Sequence, residues 1–210
     1  MLICICTSNK MATVVLDFET SGLNPFYDDI IEIGAKIMNT NQNKSTHFEV
    51  LVKPKSGERI PHNITEITGI TPKMLMYHGK EWKSAYTDFY NWLVENLVKD
   101  GGNSIVSHNG ASFDFILFKR ILRDIHEDLT HEYDIVYVDT LPVCRRLFRN
   151  SRIFKLTYLA GRLRIPNYGE HRALADVYTL EDLYRIIKVH LKKIGVEDAR
   201  QIVAYANLEM

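Results

Sequence analysis

Three β-rich segments precede the first helical pattern in this chain, and that order limits the fold more than any other feature. Thr13 to Phe18 reads as a first strand, "DIIEIGAKIM" as a second and "THFEVLVKP" as a third. Each is rich in β-branched or aromatic residues, and Gly, Pro and Asn signals separate them. After the turn chemistry of "PHNITEITGITPKML", where Pro72 suits a helix start, a helix is expected near Ala85 to Val98. Gly101 and Gly102 then reset the chain for the short strand "SIVSHN". Phe113, Ile116, Leu117 and Ile121 follow at the spacing of an amphipathic helix, with Asp114 at its start. The strand "DIVYVDT" leads into two basic helices, roughly Leu141 to Arg149 and Lys155 to Arg164. A long helix from Ala173 to Leu191 carries a stripe close to 3.6 periodicity. Three strands followed by alternating helix and strand describe an α/β layer fold around a mixed sheet. Neither an internal repeat nor a low-complexity linker interrupts it.

The size and composition agree. A chain of 210 residues, 46% apolar and 25% charged, suits one domain and can bury a full core without disulfides. The reading places a tail at residues 1–11, the domain at 12–195, and a helical C-terminal segment at 196–210 that packs on the domain or trails from it. Cys4, Cys6 and Cys144 form neither a disulfide framework nor a zinc spacing, which favours a reducing, intracellular compartment. The opening "MLICIC" is too short for a signal-peptide core, and no apolar run reaches membrane-spanning length, so a soluble protein without a membrane partner is expected. Zero formal net charge argues against binding nucleic acid through overall basicity. Between Leu141 and Arg164, however, Arg145, Arg146, Arg149, Arg152, Lys155, Arg162 and Arg164 stand with no acidic residue among them. This local patch is either a solvated helix face or a phosphate contact.

The first strand ends in "VVLDFETSGL", where Asp17 and Glu19 lie two residues apart. Side chains at i and i+2 share a strand face, and two carboxylates that close repel unless one is protonated or a cation lies between them. Asp114 alone reads as a capping acid at the positive end of a helix dipole. Asp176 lies beside the apolar stripe of the final helix, where a charge needs a partner. The break at Gly169 and Glu170 lets His171 sit on a loop before that helix. A single sheet can gather Asp17, Glu19, Asp114 and Asp176 at one point with His171 above it. Four carboxylates together call for divalent cations, and hard oxygen ligands suit Mg²⁺ or Mn²⁺. Two such ions ~3.5–4 Å apart are a known device for in-line phosphodiester cleavage.

The order and spacing of these residues resemble the DEDDh family of 3′-to-5′ exonucleases. The family's three motifs are matched by "DFET", "HNGASFD" and "HRALAD". The stretches "DIIEIGA", "ITEITGIT" and "KLTYLAGRLRIP" are also similar. A sister subgroup has tyrosine four residues before the last aspartate, where this chain has Arg172, so the histidine subgroup fits. The resemblance implies an RNase H-like (exonuclease) α/β fold, a five-stranded mixed β-sheet flanked by α-helices. It implies that Asp17, Glu19 and Asp176 hold a first Mg²⁺, that Asp17 also touches a second, that Asp114 reaches the second largely through water, and that Mn²⁺ can substitute. His171 would be the general base, a task suited to an imidazole. Substrate contacts by the same resemblance are Thr20, whose main chain reads the terminal 3′-hydroxyl, the wedge Leu23, Ile67 and Thr68 of the "ITGIT" loop, Asn109, and Phe113 near the terminal base. Leu23, Ile67 and Phe113 also read as simple core.

The second motif has three residues between Asn109 and Phe113, where proofreading subunits of bacterial replicative polymerases usually have two. The longer form resembles the three-prime repair exonucleases, which favours single-stranded DNA 3′ ends. RNA trimming stays open as an alternative, as does a proofreading subunit inside a polymerase complex, and any recruiting or homo-oligomeric partner is not visible. A catalytically dead nucleic-acid or protein-binding module is the alternative of another class. The presence of all five catalytic residue types argues against it.

Overall fold

The computed structural model describes residues 11–38, 46–57, 59–99, 101–129, 131–169 and 171–208. The proposed N-terminal tail, with Cys4 and Cys6, falls almost wholly outside them. The described residues form a five-stranded sheet of order β3-β2-β1-β4-β5. Its strands are β1 (Ala12–Thr20), β2 (Ile30–Met38), β3 (His47–Leu51), β4 (Gly102–Ser107) and β5 (Asp134–Asp139). The first three run antiparallel, while β4 and β5 continue parallel to β1, so the sheet is mixed as expected.

Alternation along β1 explains the two cores. Val14, Leu16 and Phe18 point to a layer containing Phe89, Leu93, Phe118 and Ile121. Val15 points the other way, into a layer with Val106, Val143, Val177, Leu180 and Leu183. The helices over the first face are α3 (Trp82–Asn96) and α4 (Asp114–Asp124). Those over the second are α5 (Thr140–Leu147), α6 (Leu156–Leu163), α7 (Ala173–Lys192) and α8 (Ala199–Asn207). Aromatic edge contacts tie α3 to the sheet through Phe18–Phe89 and to α4 through Phe89–Phe118, with ring centroids 6.2 Å apart in both.

Several boundaries differ from the local pattern. The segment read as turn chemistry holds a short helix, α1 (His62–Thr68), whose buried Ile64 joins Ile31, Ile60, Ile70 and Leu75 in a satellite cluster. Gly69 ends α1 in the left-handed region at φ +70°, which glycine adopts without steric penalty. Helix α2 (Pro72–His78) begins as predicted at Pro72, with the Thr71 hydroxyl accepting from the Met74 N–H at 3.1 Å. Helix α3 starts three residues earlier than expected, at Trp82, which stacks edge-on against Tyr86. Strand β4 starts at Gly102 and stops at Ser107, because Asn109 takes a left-handed backbone, φ +66°, that no strand continues through. Strand β3 is shorter than "THFEVLVKP", ending at Leu51. Helix α8 is opened by a capping box between Asp198 and Gln201 and buries Ile202 in the second core. Among the described residues no helix is long and apolar enough to cross a membrane.

Candidate active site

Because Val15 faces α7, strand alternation carries Asp17 and Glu19 onto that same face at the end of β1, where the apolar layer stops. Asp176, in the first turn of α7, meets them there. Carboxylate oxygens of Asp17, Glu19 and Asp176 all lie within 4.8 Å of one another. Asp114, the first residue of α4, is buried beside them and accepts a hydrogen bond from the Ser107 hydroxyl at 2.6 Å. It is therefore a buried acid of the site rather than a surface cap. Close approach of α7 depends on Gly34, which pairs with Asp17 across β2. A Cβ at Gly34 would lie 2.4 Å from the Ala173 carbonyl carbon, pushing Asp176 away from its partners.

His171 stands on the loop before α7 in a left-handed conformation, φ +60°, and its N–H donates to Asp176 Oδ2 at 3.2 Å. With Asp17 and Asp176 it lines a cleft of about 690 Å³, whose other walls include His108, Asn109, Arg145, Arg152 and Lys155. The basic stretch thus divides. Arg145, Arg152 and Lys155 face the cleft, whereas Arg146 turns to α8, donating to the Ala206 carbonyl at 3.2 Å and lying over the Tyr205 ring. Arg149, Arg162 and Arg164 are exposed outside the cleft lining.

The residues expected to touch substrate are placed unequally. Leu23 is 87% exposed and Ile67 51% exposed, so neither is core. Phe113 is half-buried against the first core. Asn109 lines the cleft. Thr20 is buried with its hydroxyl donating to the Gly22 carbonyl at 2.5 Å, leaving main-chain contact as its route to a ligand. Thr68 is buried, its hydroxyl donating to Ile64 and accepting from Ile70, so its side chain is occupied within α1 and the following turn.

Three supporting residues were not anticipated. Asp139, the last residue of β5, accepts N–H groups from Asn109, Ala111 and Leu141, pinning the second-motif loop to the start of α5. Its place just before a helix was the available signal. His108 Nε2 lies 2.7 Å from the Phe154 carbonyl and so carries the proton, and its Nδ1 is 2.8 Å from the Thr140 hydroxyl. Burial pushes this imidazole below its ordinary value, so it ties the Arg152–Lys155 segment to β4 as a neutral group. Glu32, on β2, is fully buried and grips Arg172. A single charge inside the apolar run "IIEIGA" was the sign of a buried partner.

Electrostatics show what this arrangement requires. Burial first, then the neighbouring Asp114, Asp176 and Glu19, hold the Asp17 carboxyl well above the ordinary carboxylate range. Burial and Asp176 push Glu19 from 4.5 up to about 8, and burial lifts Asp114 from 3.8 to about 7 against the opposing Ser107 hydrogen bond. Acids raised in this way bind protons in the folded state at pH values where the unfolded chain has released them, so stability falls as pH rises through that window. A divalent cation relieves the same repulsion, and the all-oxygen donor set fits one. The metal-free protein is therefore expected to lose melting temperature between about pH 5 and pH 8. Added Mg²⁺ is expected to raise the melting temperature more at pH 8 than at pH 5 in differential scanning calorimetry. An equal increment at both pH values would mean that the acids are not where the cation acts.

The Exonuclease family model, RNase_T, matches residues 14–184. The PolC-type DNA polymerase III of Thermotoga petrophila is 31% identical over 189 residues, which are 90% of this chain and 13% of that protein. Among solved structures, E. coli exonuclease I in complex with a dT13 oligonucleotide superposes with a TM-score of 0.73 at 20% identity, covering 89% of this chain and 43% of that one. The zinc-bound form of the E. coli exonuclease I–single-stranded DNA complex gives 0.75 at 21% identity, over 89% and 42%. This chain thus spans a small part of the polymerase it matches and less than half of exonuclease I. With its three motifs gathered on an RNase H-like sheet and the family model matched over most of its length, the chain belongs to the DEDDh family of 3′-to-5′ exonucleases.

Proposed function

We propose that residues 12–195 form a metal-dependent exonuclease domain that hydrolyses the terminal phosphodiester at a nucleic-acid 3′ end and releases 5′-mononucleotides, with single-stranded DNA the favoured substrate. The observation that carries this reading is the gathering of Asp17, Glu19 and Asp176 within 4.8 Å, with Asp17 and Asp176 lining a cleft shared with His171 and walled by Arg145, Arg152 and Lys155. Asp17, Glu19 and Asp176 would hold one Mg²⁺, and Asp17 with Asp114 a second, with Mn²⁺ able to replace either. When bound, the cations supply charge to activate water and to stabilise the leaving oxygen. His171 accepts the proton of the attacking water on an imidazole nitrogen, and its main chain is steadied by Asp176. Thr20 main chain and Asn109 receive the 3′-terminal nucleotide, while the exposed Leu23 and Ile67 supply apolar surface for bases. The preference for DNA is supported by the polymerase relative and by the oligonucleotides bound to the exonuclease I neighbours. The polymerase relative also favours a second reading, proofreading in association with a polymerase.

The test is purified protein with Mg²⁺ and 5′-labelled single-stranded DNA, duplex DNA and RNA of one sequence. Progressive shortening from the 3′ end with 5′-mononucleotide products, blocked by a 3′-phosphate, is expected. Cutting of a closed single-stranded circle would refute the exonuclease assignment, and faster shortening of RNA would reverse the substrate preference.

The basic wall makes a separate prediction about affinity. Phosphate contacts act through counterion release and weaken with salt. Replacing Arg145, Arg152 and Lys155 with Gln should raise KM and flatten its salt dependence, lowering the slope of log affinity against log salt by up to ~2 for a single strand. Turnover at saturation should change little. The same substitutions at Arg149, Arg162 and Arg164 should leave the slope nearly unchanged, because they stand outside the cleft lining.

A further inference from the structure

Arg172 separates His171 from the first residue of α7, and its side chain turns toward the sheet. Its Nε lies 3.0 and 3.1 Å from the two Glu32 carboxylate oxygens, and its Nη2 lies 2.5 Å from Oε1. Glu32 is 0% exposed and also accepts the Ala173 N–H at 2.8 Å. One buried carboxylate therefore receives both the guanidinium and the first N–H of the helix. The pair is wired directly into the site. Glu32 sits opposite Glu19 in the β1–β2 ladder, the Asp176 N–H donates to the Arg172 carbonyl at 2.9 Å, and the His171 N–H donates to Asp176. The same face of β2 continues with Gly34 beneath the Ala173 backbone and Lys36, which pairs with Glu181 of α7 at 2.5 Å. Strand β2 thus forms a track on which α7 is seated, with the Arg172–Glu32 fork at the end nearest the acids.

An ion pair with a buried carboxylate is poor evidence of stabilisation, since well-packed neutral residues of similar volume often replace such a pair without loss. What a fork does supply is direction, because a guanidinium meets a carboxylate in one plane with two bonds, whereas an ammonium is a point charge. We propose that Arg172 and Glu32 are positioning residues whose fork sets where His171 and the first turn of α7 stand over the acidic cluster, and so controls turnover rather than substrate affinity. The proposal rests on the exonuclease reading for its kinetic arm only.

The test compares wild type, Arg172→Lys and the double variant Glu32→Gln/Arg172→Met, since Arg172→Ala alone would strand a buried charge and risk unfolding. Misplacement of a catalytic group by about 1 Å can cost ~10²-fold. The double variant is accordingly expected to lose ~10²-fold in kcat and Arg172→Lys about tenfold, each with KM within about twofold of wild type and a melting temperature close to it. Amide hydrogen exchange over residues 171–177, measured on the metal-free protein, should quicken in the double variant. Unchanged kcat in the double variant, or a loss carried wholly by KM, would overturn the positioning role. So would unchanged exchange over 171–177. A wild-type protein that fails to shorten DNA would instead sink the exonuclease reading, and the exchange measurement would still decide whether the fork seats the loop.

Discussion

Asp17→Ala is expected to lower nucleotide release by more than ~10³-fold while leaving the metal-free protein more heat-stable than wild type. Losing one preorganised stabilising group in an active site already costs ~10²–10³-fold, and Asp17 lies at the centre of the acidic cluster rather than at its rim. Both other acids of the trio approach it, and Asp114 ranks first among the charges that raise its proton affinity. The gain in stability has the same origin. Above about pH 5 the folded protein must either hold protons on Asp17, Glu19 and Asp114 or tolerate their repulsion, and removing one carboxylate relieves the rest. The difference in melting temperature should be larger at pH 8 than at pH 5, because the wild-type acids are already protonated at the lower pH. Mg²⁺ should then raise the melting temperature of the variant less than that of wild type. Near wild-type turnover by Asp17→Ala, checked with 3′-end release from labelled DNA, would remove the metal site from the mechanism.

His171→Ala is expected to lower turnover by ~10²–10⁴-fold with metal affinity little changed, since the imidazole is assigned as a base and not a ligand. The pH–rate profiles of wild type and variant should differ, because only the wild type offers an imidazole nitrogen to the attacking water. Cation-activated water is the competing source of reactivity, so the comparison of the two profiles carries the test. Calorimetric titration with Mn²⁺ should show that the variant still binds. An unaltered rate and profile would leave activated water as the simpler account. His171 is exposed on a left-handed loop, so its removal opens no cavity in either core, and a fall in rate cannot be ascribed to a damaged fold.

Local chemistry accounts for much of what the chain becomes. Alternation within nine residues of β1 dictates that Asp17 and Glu19 share a face, and the 3.6 stripe of α7 dictates that Asp176 lies at its inner edge. Pro72 marks the start of α2 by its own backbone preference. These features need only neighbours in sequence, which is why the succession of strands and helices and the shared face of Asp17 and Glu19 were legible. The short α1 was not. Its seven residues are held by the packing of Ile64 against a satellite cluster, and a helix that short has little propensity of its own.

Distance along the chain hid the rest. Arg145 and Arg146 are adjacent and chemically identical, yet only the fold turns one toward the cleft and the other toward α8, 60 residues away. Glu32 and Arg172 stand 140 residues apart, and nothing in either segment names the other. The sequence by itself determined which side chains carry charge and which face of each element they occupy, because those properties follow from the periods of strand and helix. Only the tertiary structure decided which of those charges meet. Their meeting depends on strand order and on the docking of α7 over Gly34, contacts whose register is set by packing across the whole sheet rather than by any local preference.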